Sequence, residues 1–183
     1  MQGLRADLTV KFDLNMFRTN TGLPRTIHGA SLERVLNYTF GTTGALKVDQ
    51  QFHDWRTLAA SGTENLDLSG VLTNKVYETA IVFARLFAVI FSLPDVADIP
   101  ADLAATTQAS SITIGGTVAN VNKMFFTDSS DALTLPKTGV FAVAVGDANG
   151  VTVTAATADI VKVTNNDGTN SAKYLVSFLG RTT

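Results

Sequence analysis

Gly139-Val-Phe-Ala-Val-Ala-Val145, Val151-Thr-Val-Thr154, Ala158-Asp-Ile-Val-Lys-Val-Thr164 and Ala172-Lys-Tyr-Leu-Val-Ser-Phe-Leu179 follow one another, punctuated chiefly by Gly146-Asp-Ala-Asn-Gly150 and Asn165-Asn-Asp-Gly-Thr-Asn170. Apolar residues recur at every second position, and the interruptions are rich in the Gly, Asn and Asp that tight turns require. Short alternating strands at this spacing predict an all-β chain folded as an antiparallel β-sandwich or barrel, with little helix.

Working outward, Leu8-Thr-Val-Lys-Phe-Asp-Leu14 alternates in the same way, with Leu8, Val10, Phe12 and Leu14 on one face. Further strands are expected at Val35 to Phe40, Ala45 to Asp49 and Gln51 to Leu58, and Gly41-Thr-Thr-Gly44 reads as the turn of a hairpin. A break at Ser61-Gly-Thr-Glu-Asn65 suggests two parts: a strand-rich N-terminal arm or subdomain over 1–62 and a β-sandwich domain over 63–183. Ile112 to Gly116 and Asn122 to Phe126 are expected strands. The stretch from Leu93 to Ser111, with two prolines and three aspartates, reads as a long loop in which Pro100 and Asp102 suit the start of a short helix.

The apolar run Ala80 to Leu93 contains Arg85 and ends at Pro94. It is shorter than the roughly 20 residues that a spanning helix needs, so a buried element is expected and no membrane partner. With 183 residues, 45% hydrophobic and 16% charged, the chain has the composition of a folded protein. A formal net charge of −2 supplies no basic field for a phosphate backbone, which argues against a nucleic-acid partner. There is no cysteine, so disulfides, thiolate metal sites and a cysteine nucleophile are excluded. The start, Met1-Gln-Gly-Leu-Arg-Ala-Asp7, lacks the charged-then-apolar order of a signal peptide, which implies synthesis without export.

Residues able to carry chemistry are few. The two histidines are His28 and His53. Gly29-Ala-Ser31 superficially resembles a nucleophile elbow, but Glu33 stands where G-x-S-x-G needs its second glycine. His53-Asp54-Trp55 reads as a strand or rim element, and two histidines 25 positions apart match no zinc spacing. Gly41 to Lys47 lacks the order of a phosphate loop. Asp147-Ala-Asn-Gly150 and Asn166-Asp-Gly168 look like fragments of calcium loops, yet neither ends in a bidentate glutamate. Asp128 and Asp131 flank Ser129-Ser130 as a solvated loop. No enzyme activity is expected, no catalytic, cofactor-binding or metal residue is assigned, and no cofactor is implied.

Phe83-Ala-Arg85, Ile112-Thr-Ile-Gly-Gly116, Leu135-Pro-Lys-Thr-Gly-Val-Phe141, the run Gly150 to Asn165 and Tyr174-Leu-Val-Ser-Phe-Leu-Gly180 together resemble a group of small virion proteins of tailed bacteriophages. The resemblance covers roughly residues 63 to 180. It implies a jelly-roll-like fold and a structural role, first as a capsid decoration (cement) protein on the capsid exterior, otherwise as a tail, neck or head-fibre component. The partners it implies are the major capsid protein and further copies of the chain, as a homotrimer, after synthesis in the host cytoplasm. The first sixty residues and Leu93 to Ser111 depart from the group's pattern and are the expected places to reach neighbouring subunits. Two other classes compete: a glycan-binding sandwich with exposed aromatics near Trp55 or Tyr77, and an enzyme dependent on His28 or His53.

Overall fold

The computed structural model describes residues 5–18, 26–70, 72–74, 79–103, 107–123, 126 and 128–183. Among these described residues fourteen strands run in chain order: β1 (Arg5–Arg18), β2 (Thr26–Phe40), β3 (Lys47–Val48), β4 (Gln50–Leu58), β5 (Thr63–Asp67), β6 (Leu72–Asn74) and β7 (Thr79–Ile81), then β8 (Arg85–Leu93), β9 (Ser111–Gly115), β10 (Ala132–Pro136), β11 (Gly139–Ala144), β12 (Val151–Thr152), β13 (Ile160–Asn165) and β14 (Ala172–Arg181). The helical content described is two single 3₁₀ turns, Val96–Asp98 and Ala101–Leu103. The all-β expectation holds.

Two sheets make the body. One has the order β11-β8-β14-β4, with β12 also on β8, and the other β10-β9-β13-β5. Four connections, β4 to β5, β8 to β9, β10 to β11 and β13 to β14, each cross to a strand at the matching place in the other sheet. With β9 and β10 paired inside one sheet, this is the eight-stranded order of a jelly roll. The inner faces supply one core: Phe52, Phe91, Tyr174 and Phe178 from the first sheet meet Leu66, Ile112, Ile114 and Val163 from the second. Phe178 packs edge-on against Phe83 and Phe91 with ring centroids 6.3 and 5.8 Å apart.

Alternation dictates which side chains go inside. β14 reads buried, half-buried by turns from Ala172 to Gly180, and β13 does the same from Val161 to Asn165. The regularity breaks at one bulge, between Leu179 and Gly180 opposite β8. The register skips from Ala88 to Leu86, so Phe87 joins Ala88 in a second cluster rather than in the main core. Gly180 fits this crossing because a Cβ there would stand 2.3 Å from the Arg85 carbonyl and 2.4 Å from the Phe83 ring.

β1 and β2 form an antiparallel ribbon in continuous register from Arg5↔Thr39 to Arg18↔Thr26. The hairpin expected at Gly41–Gly44 is corrected: Lys47–Val48 run parallel to Thr39–Phe40. Gly44 (φ 94°) and Leu46 (φ 55°) adopt left-handed backbone and carry the chain round a loop instead of a tight reversal. The expected strand over Asn122–Phe126 is also corrected. Val121 makes an isolated bridge to Ile160, Asn122, Lys123 and Phe126 lie outside any strand, and positions 124–125 are outside the described residues.

The boundary near residue 62 falls inside the sandwich. β4 pairs with β14 along its length, Phe52 and Leu58 share the core with later strands, and Thr63–Asn65 belong to β5 rather than to a linker. The Ala80–Leu93 run is interrupted: Phe83 N–H donates to the Leu68 carbonyl and Ala84 N–H to that of Arg181, where the chain passes from β7 to β8. The Leu93–Ser111 segment is tied to the body. Gln108 is buried, its amide NH₂ donating to the Pro94 and Lys173 carbonyls and its oxygen accepting from Lys173 N–H.

Candidate interaction surface

The outward faces of the two sheets differ in chemistry. On the β10-β9-β13-β5 sheet, register aligns Thr134, Thr113, Thr164 and Thr63 in one row across all four strands. Thr63 and Thr164 hydroxyls lie 3.3 Å apart, and the Thr113 hydroxyl donates to Asn166 Oδ1 at 3.0 Å. The neighbouring row brings Asn65 and Lys162. Such a face exchanges hydrogen bonds with water at little cost.

The outward face of the β11-β8-β14-β4 sheet aligns Val140, Ser92, Leu175 and Trp55 in one row and Ala142, Ile90, Ser177 and His53 in the next. These eight positions include no charged carboxylate, ammonium or guanidinium group. Val140 is 64% exposed, and Trp55, Leu175 and Ile90 are half-buried. Depletion of charge, which these two rows show, is one mark of an interface core. His53 Nδ1 and Ser177 Oγ lie 2.5 Å apart and satisfy each other within it.

The base of the β1–β2 ribbon stands on the same side of this sheet. Leu36, Tyr38 and Val48 pack with Phe87 and Ala88, with Leu46, Ala144, Val145 and Leu179 around them. The Tyr38 hydroxyl approaches the Val145 and Phe87 carbonyls at 2.8 and 3.2 Å. Burial pushes the phenol up to about 12, against the smaller opposing effect of the Val145 carbonyl. Arg181, itself buried, donates to the Gly44, Ala148 and Thr183 carbonyls and lies 5.0 Å over the Phe87 ring. Asp49 accepts from the Thr182 N–H and hydroxyl. Arm base, C-terminus and the Gly146–Gly150 turn are thus fastened into one block.

The sequence-flagged residues do not assemble into a catalytic group. Ser31 and Glu33 sit mid-strand in β2, paired with Asp13 and Lys11, so the strand-to-helix turn of a nucleophile elbow is not formed there. His28, in the same strand, pairs with Met16. His53 and Asp54 are consecutive on β4 and therefore face opposite sides: His53 is exposed, while Asp54 is buried against Arg56. Tyr77 lies outside the described residues.

The calcium-like turns use their carboxylates on backbone. Asp147 Oδ1 accepts from Asn149 and Gly150 N–H, and Asp167 Oδ1 from Thr169 and Asn170 N–H. These bonds hold both carboxyls below the usual range, as those from Ser130 do for Asp128. Asp131 in turn accepts from Asp128 N–H. Among the described residues no group of three or more His, Asp or Glu side chains is placed to hold a metal ion.

Sequence reasoning missed a clamp at one side of the sandwich. Arg56 on β4 donates through Nε and Nη2 to Glu64 Oε2 on β5, at 3.1 and 2.5 Å, and through Nη1 to Asp54 at 3.2 Å. The Tyr174 hydroxyl donates to the other Glu64 oxygen. Burial first, and then the Glu64 charge, drive the Tyr174 phenol far above its ordinary value, while Glu64 raises the Arg56 guanidinium. The only signal in sequence was that Asp54 and Arg56 occupy inward positions of an alternating strand. A pocket of about 560 Å³ opens beside Asn120, Lys123, Thr152 and Thr157. The buried Asn122 beneath it spends its amide NH₂ on the Thr152 and Ala158 carbonyls.

Compared with protein-family models, with curated proteins and with solved structures, the chain matches none.

Proposed function

We propose that this chain is a structural protein of a bacteriophage virion, first of all a capsid decoration protein that binds the major capsid lattice as a homotrimer and stabilises it. The observation that carries the reading is the unequal sandwich: a jelly roll with one outer face crossed by a row of threonines, the other carrying Trp55, Leu175, Ile90 and Val140 with no charged group in its two central rows, and a long ribbon rooted beside the latter. A jelly roll is a scaffold shared by capsid, lectin and cupin-type proteins, so the reading leans on the surface rather than on the fold. A broad apolar face suits permanent burial between subunits, and symmetric repetition turns modest contacts into strong attachment. The sequence resemblance over residues 63 to 180 points the same way.

Quantitative mass spectrometry of separated heads and tails, scaled to the major capsid protein, tests this. Hundreds of copies in heads support a lattice-covering role. A few copies, or enrichment in tails, would move the protein to the neck, tail or fibre, and absence from both would end the virion reading. Trp55, half-buried on the apolar face beside His53 and Ser177, favours glycan binding as a second reading. Saturable binding on a glycan array that Trp55→Ala abolishes would support it.

A further inference from the structure

We infer that Asp67, Ser69 and Asp159 bind a calcium ion where the end of β5 meets the turn before β13. In Asp67-Leu-Ser69 the middle residue enters the core, while Ser69 N–H donates to Asp67 Oδ1 at 2.8 Å and so brings the two polar side chains together. The Ala156–Asp159 turn supplies the third donor. Ala156 has left-handed backbone (φ 57°), and its N–H donates to Asp159 Oδ2 at 2.6 Å. Leu68 N–H donates to the Asp159 carbonyl at 2.7 Å, which holds the two turns side by side.

The hydrogens of this cluster do not go round. Ser69 Oγ lies 2.9 Å from Asp67 Oδ1 and 2.8 Å from Asp159 Oδ2. A hydroxyl has a single hydrogen, so it donates to one carboxylate and meets the other lone pair to lone pair. Among the described residues no Lys, Arg or His side chain forms an ion pair with either carboxylate. Two like charges gathered at one hydroxyl repel each other, and burial strengthens the repulsion. The arrangement calls for a positive charge, either a proton or a cation.

Asp159 Oδ1 decides between them. Asp159 is 4% exposed, and its Oδ1 is the one buried side-chain nitrogen or oxygen among the described residues without a hydrogen-bond partner. It belongs to the carboxylate whose other oxygen faces Ser69, so it sits beside the same cluster. A proton on Oδ2 would settle the Ser69 contact and still leave Oδ1 a buried, unsatisfied acceptor. A cation held by Oδ1 and the Asp67 carboxylate answers both needs.

The donors are all oxygens, which selects a hard cation. They come from two turns of different shape, and calcium accepts irregular geometry where magnesium demands a near-ideal octahedron. Asp67 and Ser69 are half-buried, so water can complete the shell from their side. The turns that look more like calcium loops in sequence spend their carboxylates, Asp147 and Asp167, on backbone N–H groups instead. Calcium here would pin the Asp67–Ser69 turn to the Ala156–Asp159 turn, and the bond from Phe83 N–H to the Leu68 carbonyl carries that fastening towards β8. Such a site acts in the purified chain whether or not the chain is part of a virion.

The test takes the full-length chain, stripped of divalent ions with a chelator, and titrates it with calcium chloride. Calorimetry should show one calcium bound per chain, and about 1 mM calcium should raise the melting temperature by several degrees, as binding to the folded state requires. Asp159→Asn should abolish both effects. Because it also removes the buried charge, this variant should melt no lower than the native protein without calcium and below it with calcium. Asp67→Asn, at a half-buried position, keeps the test decisive should Asp159→Asn fail to fold. It should weaken calcium binding about tenfold or more with unchanged circular dichroism. Asp167→Asn should bind calcium as the native protein does. A native protein that neither binds calcium nor melts higher in its presence would overturn the site. So would calcium binding that Asp159→Asn and Asp67→Asn both retain.

Discussion

The two outer faces of this sandwich are built from the same kind of strand, yet one carries Thr63, Thr113, Thr134 and Thr164 in a row and the other carries Trp55, Leu175, Ile90 and Val140. Alternation within a strand explains both equally well, since each strand sends every second residue outward. What differs is the medium each face is made for. Threonine is β-branched and polar, so it keeps a strand stiff while bonding to water. Trp, Leu, Ile and Val set among Ser92, Ser177 and His53, with Lys173 in the adjoining row, make a less polar surface that suits burial better. The polar face suits an exterior, and the assembly proposed above would cover the other.

The largest expected effect comes from breaking the one place where the apolar face is already covered. Tyr38→Ala removes a fully buried ring from the arm base and should lower unfolding free energy by about 3–5 kcal/mol in urea titrations. Tyr38→Phe keeps the packing and loses only the hydroxyl contacts to Val145 and Phe87, at about 1 kcal/mol. Next is the clamp that joins the two sheets. Glu64→Ala strands Arg56 and the Tyr174 hydroxyl, and the expected cost is roughly 2 kcal/mol, reduced from that of a fully buried pair because the Arg56 side chain is 31% exposed.

Acid and alkali separate the same parts. The folded Tyr38 phenol lies near 12, above the unfolded value of about 10. Its contribution is therefore complete below pH 10 and is lost as pH rises from 10 to 12. Tyr38→Phe should flatten that alkaline limb in melting curves. The Asp147 and Asp167 carboxyls are held low by backbone N–H groups of exposed turns. Their contribution is present above about pH 4 and is lost as pH falls further, so Asp167→Asn should blunt the acid limb. The smallest effect belongs to the polar face: Thr164→Val should change stability by no more than about 0.5 kcal/mol.

Local pattern made much of this fold legible. β13 and β14 alternate in sequence as they do in the sheet, and Leu8 to Leu14 lies inside β1. What escaped depends on partners distant in the chain. The strand after Gly44 looked like the return leg of a hairpin, and left-handed backbone at Gly44 and Leu46 sent it parallel instead. A break near residue 62 looked like a boundary because Ser61 and Gly62 make a turn, but that turn is a corner between facing sheets, with Ser61 N–H bonded to the Asp167 carbonyl. The contrast between outer faces was invisible for the same reason. Trp55 and Leu175 are 120 positions apart, and only the β4–β14 register sets them side by side.

Hydroxyl-radical footprinting of the native protein, with the Val140→Asp variant as the uncovered reference, tests most directly whether the apolar face is covered. The account predicts that Trp55 and Leu175 are oxidised several-fold more slowly in the native protein than in the variant, while Thr113 and Lys162 react alike in both. Equal oxidation of Trp55 and Leu175 in the two proteins would contradict it.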